Sequence, residues 1–440
     1  MSSAPPIENA VSVVEGHRET GPAPARTVVD MLVDRATGPD ADRPLFTALG
    51  PGGDRIARLT AAELDARARA VAAALHRTGR PGDRVIVPPM PALDFPVALF
   101  GCLYAGMVAV PVAAATGPAV AAVARDCRPG AVLVPDTAHH PAPSLPGVPG
   151  IAVRGLRAPR RRGIPVASDP LAPALLQYAA RPAGRPPGAV VVGHGALVAA
   201  QAAVRDRCDV DRGTTVVSWL PLWHGTGLAT ALVLPLTSGA AAVTMEPAAF
   251  VRDPRVWLRA VEAEEDVFAA APDAGYELCV RRVPVADRMR IDLSTWRVAA
   301  VGGAGPVRAR TLRRFADAFR PGFFREEMFA PGYGPGGAAP GGTLARPLHP
   351  VVTGRYDRAA LVHGRAVPAG RAGRGAVELV GRGTPLPGTG VRIVDPATRR
   401  AVPERVVGEI WVDAPGSRAR PTGDLGFTDG GELFVAGRRG

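Results

Sequence analysis

The chain has 440 residues, 47% of them hydrophobic, enough to bury a large core divided among two or three subdomains. Its formal charge of +12 comes from arginine alone, because the sequence contains no lysine, and this excludes any mechanism that needs a lysine from this chain. The arginines are scattered, aromatic residues make up only 5%, and no stretch is long and apolar enough to span a bilayer, so no nucleic-acid or membrane partner is expected.

Residues 1–26 form a polar, proline-containing tail without the basic start and apolar run of a secretory signal, and a cytoplasmic protein is expected. Cys102, Cys127, Cys208 and Cys279 are widely spaced and form no CxxC pair; they are expected to be reduced and mostly buried, with no metal site.

The elements then follow in order. Thr60 and Glu63 carry a capping-box signature, and Leu64, Ala68, Val71 and Leu75 share one helical face before a stop at Gly79. Residues 84–87 read as a strand, 94–105 as a helix, 107–112 as a strand, 118–127 as a helix and 131–135 as a strand. This alternation predicts an α/β fold with a mostly parallel sheet and helices on its faces, the first αβ subdomain covering 27–138.

Residues 139–170 are rich in proline, arginine and glycine, without periodicity, and are expected to form a surface connection. The cluster Arg157, Arg160, Arg161 and Arg162 lies within it and reads as a solvated linker, since no aromatics interleave it. A second αβ subdomain is predicted over 171–375, with strands at 216–220 and 298–301 and helices at 254–263, 274–281 and 308–319. Residues 331–342 are nearly low-complexity. From 376 to 440 short β runs separated by turn residues predict a β-rich third subdomain.

The chain is organised around residues 177–197. Leu175 and Leu176 lead into a Gly/Pro/Arg loop, 189–192 leave it as a strand, and His194 precedes the next apolar-periodic stretch. Loops of this shape can offer backbone N–H groups to phosphates, but this one has neither a lysine nor a hydroxyl. With WLPLWHGTGL (219–228), YDRAALVHGRAVPA (356–369), TGDLGF (422–427) and GELFVAGR (431–438), it resembles the fatty-acyl-AMP ligase branch of the adenylate-forming enzymes. The likeness runs from about Thr27 to the last residue, five stretches in the family's order.

The resemblance implies the family's large domain and, in its ordinary members, attack of an acyl carboxylate on the α-phosphate of ATP to give acyl-AMP and pyrophosphate. It places His224 at the entrance of an acyl tunnel, as a general base or a hydrogen-bonded wall histidine, with Gly225 where relatives have Asp. It implies acyl contacts from Trp219, Trp223, Thr226, Gly227, Leu228, Phe250 and Tyr276, in segments that keep their large apolar residues. Asp424 matches a ribose-binding carboxylate, or caps a turn; Tyr333, beside Gly334, stacks on adenine or simply packs; Arg438 matches the hinge arginine or frays.

The departures fall on the ATP apparatus. Pro187 stands at the loop lysine, and Pro182, Pro186 and Pro187 remove three backbone donors, leaving Arg181 or Arg185 to hold a phosphate or merely to solubilise the loop. Gly337 stands at the magnesium-holding glutamate, Gly302 and Gly305 at an Asn and a Glu, and only residues 412–421 occupy a segment that is long in relatives. In the family, a mobile C-terminal domain with a catalytic lysine follows the position of Gly440. One lost charge stabiliser costs roughly 3 to 4 kcal/mol, and even non-additive losses imply about a million-fold slower adenylation. No metal and no cofactor are therefore expected, and no magnesium-dependent use of ATP, although residual binding of AMP or an adenylate is compatible with Asp424.

Three functions follow from the resemblance. One is an ATP-independent step on an acyl group delivered by an acyl carrier protein, a polyketide synthase or CoA, with His224 as catalyst. Another is an acyl-AMP ligase completed by a C-terminal domain in trans. The last is a non-catalytic protein that binds acyl groups or their carrier.

Overall fold

The computed structural model describes residues 26–91, 93–114, 116–135, 145–156, 169–179, 188–302, 305–334, 342–370, 375–413 and 419–438. The tail, most of the Arg/Pro-rich connection with its arginine cluster, the loop from Ala180 to Pro187, and Gly337 lie outside these residues.

The predicted alternation folds as a mixed α/β architecture with two largely parallel sheets. The capping box at Thr60 is made in both directions: the Glu63 N–H donates to the Thr60 hydroxyl at 3.1 Å, and the Thr60 N–H to the Glu63 carboxylate at 2.9 Å. The helix Ala61–Leu75 that it opens packs against helix Asp94–Tyr104, every residue of which is buried.

The six-stranded sheet has the order Gly150–Ala152, Ala131–Val134, Arg84–Val87, Val108–Pro111, Pro173–Ala179, Gly188–Gly193. All its pairings are parallel except the last, a hairpin flanking the Gly/Pro/Arg loop. The strand Gly150–Ala152 falls within 139–170, the stretch read as a surface connection, and adds an edge to this sheet. Three residues are too short to carry a periodic signal, and the strand exists because the edge Ala131–Val134 offers it partners.

The nine-stranded sheet runs Thr384–Pro385, Thr343–Leu344, Phe329–Tyr333, Val298–Val301, Val267–Ala271, Thr215–Ser218, Ala241–Met245, Pro44–Leu49, Arg55–Thr60. Its six-strand middle, from Phe329–Tyr333 to Pro44–Leu49, is parallel, with antiparallel strands at both edges. Sheet membership does not follow chain order. Pro44–Leu49 and Arg55–Thr60 join strands from the middle of the chain, while Pro173–Ala179 and Gly188–Gly193 return to the first sheet. Part of the low-complexity stretch, Pro331 to Tyr333, lies in a fully buried strand of the larger sheet.

Beyond these, Gly390–Val394, Gly408–Asp413, Arg420–Asp429 and Glu432–Arg438 form a four-stranded antiparallel sheet, as the short β runs predict. All four cysteines are free and buried, and burial pushes the thiols of Cys127 and Cys208 up to about 12. Among the described residues no helix is long and apolar enough to cross a membrane.

Candidate functional site

Two regions collect the residues singled out from the sequence. The first is apolar. Strand Thr215–Ser218 ends in the turn Leu220–Trp223, where the His224 N–H donates to the Pro221 carbonyl at 3.0 Å. A helical run follows at once: Gly225–Leu228, the π-segment Ala229–Val233, then Leu234–Ser238. Gly227 makes this packing possible, since a Cβ there would lie 2.2 Å from the Pro221 carbonyl oxygen. Leu228 is fully buried, and Thr226 offers its carbonyl to the Thr230 hydroxyl at 2.8 Å. A π-segment inside an α-helical run is a frequent companion of functional sites.

Beside this turn opens a cleft of about 690 Å³ of free space, its open mouth included. Met90, Phe95, Leu220, Leu222, Trp223 and Met245 form much of its apolar wall, Leu49 to Pro51 and Ile56 add to it, and Glu246 is its one acidic group. The cleft lies where Pro44–Leu49, Thr215–Ser218 and Ala241–Met245 end, at the carboxyl side of the parallel strands, the usual place for ligands in open α/β sheets. His224 follows Trp223 directly and is exposed, and partial desolvation by the surrounding protein lowers its pKa below the ordinary imidazole value. A neutral imidazole is chemically able to accept a proton, and His224 is the next residue in the chain after the Trp223 wall.

Of the predicted acyl contacts only Trp223 lines this cleft. Trp219, Phe250 and Tyr276 instead form an aromatic core: Trp219 stacks on Phe250 at 4.0 Å, and Trp257 meets both edge-on at 6.2 and 5.5 Å. Tyr276 is fully buried against Trp257 and Trp296, and its hydroxyl donates to the Ala300 carbonyl at 3.1 Å. Gly275 gives Trp219 room, because a Cβ there would stand 2.8 Å from its ring. The sequence reading missed Met90, Phe95, Ile56 and Met245. The signal for Met245 and the Leu49 turn was available in the rule that ligands sit at the carboxyl ends of parallel strands.

The second region is polar and joins the larger sheet to the four-stranded one. Tyr333, the last residue of strand Phe329–Tyr333, packs with Ile393, Ile410, Val412 and Leu433, and its hydroxyl donates to Asp424 Oδ2 at 2.8 Å. Burial raises the phenol's pKa, so it remains a donor. Arg438 pairs with Asp424 across the two strands, with Nε 3.9 Å from Oδ1, and is largely exposed. Thr422 completes the turn: its hydroxyl accepts from the Asp424 N–H at 3.2 Å and donates to the Ile410 carbonyl at 2.8 Å. Three of the expected nucleotide residues, distant in sequence, thus meet at one carboxylate, and Gly334 follows Tyr333 at the edge of the described residues.

Under this trio lies Arg382, which the sequence reading did not single out. It is 3% exposed, and its guanidinium donates to the carbonyls of Gly332 at 3.2 Å and Gly305 at 3.4 Å, so it ties strand Phe329–Tyr333 to the segment that follows strand Val298–Val301. Burial lowers its pKa to about 10, which leaves it charged at neutral pH. An arginine between Gly381 and Gly383, at the end of an apolar run, was the available signal.

Residues 33–418 match the model of a family described as AMP-binding enzyme. The chain is similar to the long-chain-fatty-acid–AMP ligase FadD26 of Mycobacterium bovis, at 32% identity over 95% of this chain and 79% of that protein. It is also similar to the medium-chain-fatty-acid–[acyl-carrier-protein] ligase JamA of Moorena producens, at 30% identity over 94% of this chain and 76% of that protein. Among solved structures, a fatty acid AMP ligase from Legionella pneumophila superposes with a TM-score of 0.85 at 28% identity, covering 94% of this chain and 76% of that one. A fatty acyl-adenylate ligase from the same organism, in complex with acyl adenylate and pyrophosphate, gives 0.83 at 28% identity, covering 94% and 77%.

Proposed function

The chain belongs to the AMP-binding enzyme family, with fatty-acyl-AMP ligases among its relatives, and we propose that it binds an acyl chain in the cleft beside Trp223 during lipid or polyketide assembly. The acyl group arrives as a thioester of a carrier protein or of CoA, and the step it undergoes is ATP-independent. One observation carries this reading: an apolar cleft walled by Trp223, the residue that directly precedes the exposed His224, in a chain that has no lysine at all. In the proposed step His224 accepts the proton of a hydroxyl or water that attacks the thioester carbonyl, the C–O bond forms as the C–S bond breaks, and the proton passes to the departing thiolate, which leaves as free thiol; the lowered pKa keeps the imidazole unprotonated at neutral pH beforehand.

The test compares two ligands by thermal shift and calorimetry, an acyl-pantetheine and an acyl-sulfamoyl adenosine with the same acyl group. Binding of the pantetheine ester, with turnover that disappears in His224→Ala, is the expected result. Unchanged turnover in that variant would remove His224 from catalysis, and binding without turnover would leave a carrier- or acyl-binding protein.

The meeting of Tyr333 and Arg438 on Asp424 favours a second reading, in which the nucleoside site is retained and the protein is an acyl-AMP ligase. Binding of the sulfamoyl adenosine alone would select it.

A further inference from the structure

A second cleft opens where edge strand Arg55–Thr60, helix Ala61–Leu75, the start of helix Asp94–Tyr104 and the segment after strand Gly150–Ala152 meet. It encloses about 780 Å³ of free space, open mouth included, and its charged lining is Arg58, Arg67, Arg154 and Asp94. None of these residues belongs to the apolar cleft or to the group around Asp424.

Asp94 is 3% exposed and both of its oxygens are occupied: Arg67 donates to Oδ1 at 3.0 Å and Arg154 to Oδ2 at 2.5 Å. One carboxylate therefore holds two guanidinium groups from separate elements side by side while neutralising the charge of one. Both arginines keep N–H donors beyond those spent on Asp94, and their side chains are 41% and 44% exposed. Arg58 stands in the same cleft, exposed, and its guanidinium makes no ion pair or hydrogen bond among the described residues. Three cations face one carboxylate in a concave space.

Guanidinium forks match the oxygens of a tetrahedral anion in pairs, and a fork already oriented by a carboxylate gives up little side-chain entropy on binding. The concavity suits a small group better than a protein face, and the balance of charge left by Asp94 suits a dianion. We propose that this cleft is a phosphate-binding site, with Arg58, Arg67 and Arg154 as its donors and Asp94 as the residue that positions two of them. The phosphate is either free, as inorganic phosphate or pyrophosphate, or the phosphate end of a thioester carrier such as CoA. The site does not rest on the acyl reading, because acyl-pantetheine lacks the phosphate and its binding should be indifferent to Arg58.

Calorimetry with inorganic phosphate, pyrophosphate and CoA at physiological salt tests the proposal on the wild-type chain, Arg58→Ala and Arg154→Met. The expected result is binding of at least one probe, weakened about tenfold by either substitution, as for the loss of a hydrogen bond to a charged group. Arg58→Ala removes an exposed side chain and keeps the thermal midpoint, so it decides the matter even if Arg154→Met, which loosens Asp94, fails to fold. CoA binding more tightly than pyrophosphate, with the same dependence on Arg58, supports the site and assigns it to a thioester carrier; the reverse order supports it and assigns free phosphate. No binding of any probe at millimolar concentration, or binding that Arg58→Ala leaves unchanged, overturns it.

Discussion

The cleft beside Trp223 and the polar group around Asp424 are held in different ways. Behind the cleft, aromatic rings touch in a continuous chain: Trp219 on Phe250 at 4.0 Å, Trp257 against Trp296 at 4.9 Å, Tyr276 against Phe315 at 5.1 Å. Its shape is secured by buried area shared over many contacts, which no single surface residue controls. The polar group depends on a few directed pairs, chiefly the Tyr333 hydroxyl on Asp424 and the Arg382 guanidinium on two carbonyls. The apolar region should therefore fail by losing stability, and the polar one by losing affinity while the fold survives.

The largest expected effect strikes the aromatic core. Trp257 is fully buried and touches Trp219, Phe250, Tyr276 and Trp296, so Trp257→Ala should cost about 3–5 kcal/mol of unfolding free energy in urea titrations. A loss below about 1 kcal/mol would mean that the core does not carry the cleft.

His194 probes the same burial from a polar side chain. It is 2% exposed, its Nδ1 has no partner among the described residues, and burial lowers its pKa from 6.5 to about 4. The folded state favours the neutral ring, so its contribution is fully present above pH 6.5 and is lost as pH falls toward about 4, where the unfolded chain binds the extra proton. Stability should drop by about 3 kcal/mol across that window, and His194→Leu should flatten the pH dependence.

For the polar group the readout is binding. Asp424→Asn should weaken the acyl-sulfamoyl adenosine about tenfold, near 1.4 kcal/mol, and leave acyl-pantetheine unaffected. Equal loss of both ligands would show that the two regions form one site and erase the contrast. The smallest effect belongs to Trp223, which is half-buried on the cleft wall. Trp223→Ala should weaken acyl-pantetheine about fivefold and move the unfolding free energy by no more than about 0.5 kcal/mol.

What the sequence determined by itself is local or motif-borne. The Thr60 capping box, the helix Pro118–Cys127, the strands Arg84–Val87 and Val298–Val301, and the late run of short strands were legible because hydrogen-bonded turns and side-chain periodicity depend on neighbours a few residues away. Tyr333, Asp424 and Arg438 were legible as separate residues within motifs. That Tyr333 reaches across 91 residues to donate a hydrogen bond to Asp424 was decided only in the folded chain. The same holds for strands Pro44–Leu49 and Pro173–Ala179, which leave their chain neighbours for the other sheet, for the brief strand Gly150–Ala152, and for the division of aromatics between cleft wall and core. Strand pairing and burial are settled by which edges and apolar faces meet in space, and periodicity along the chain carries no record of which distant face that will be.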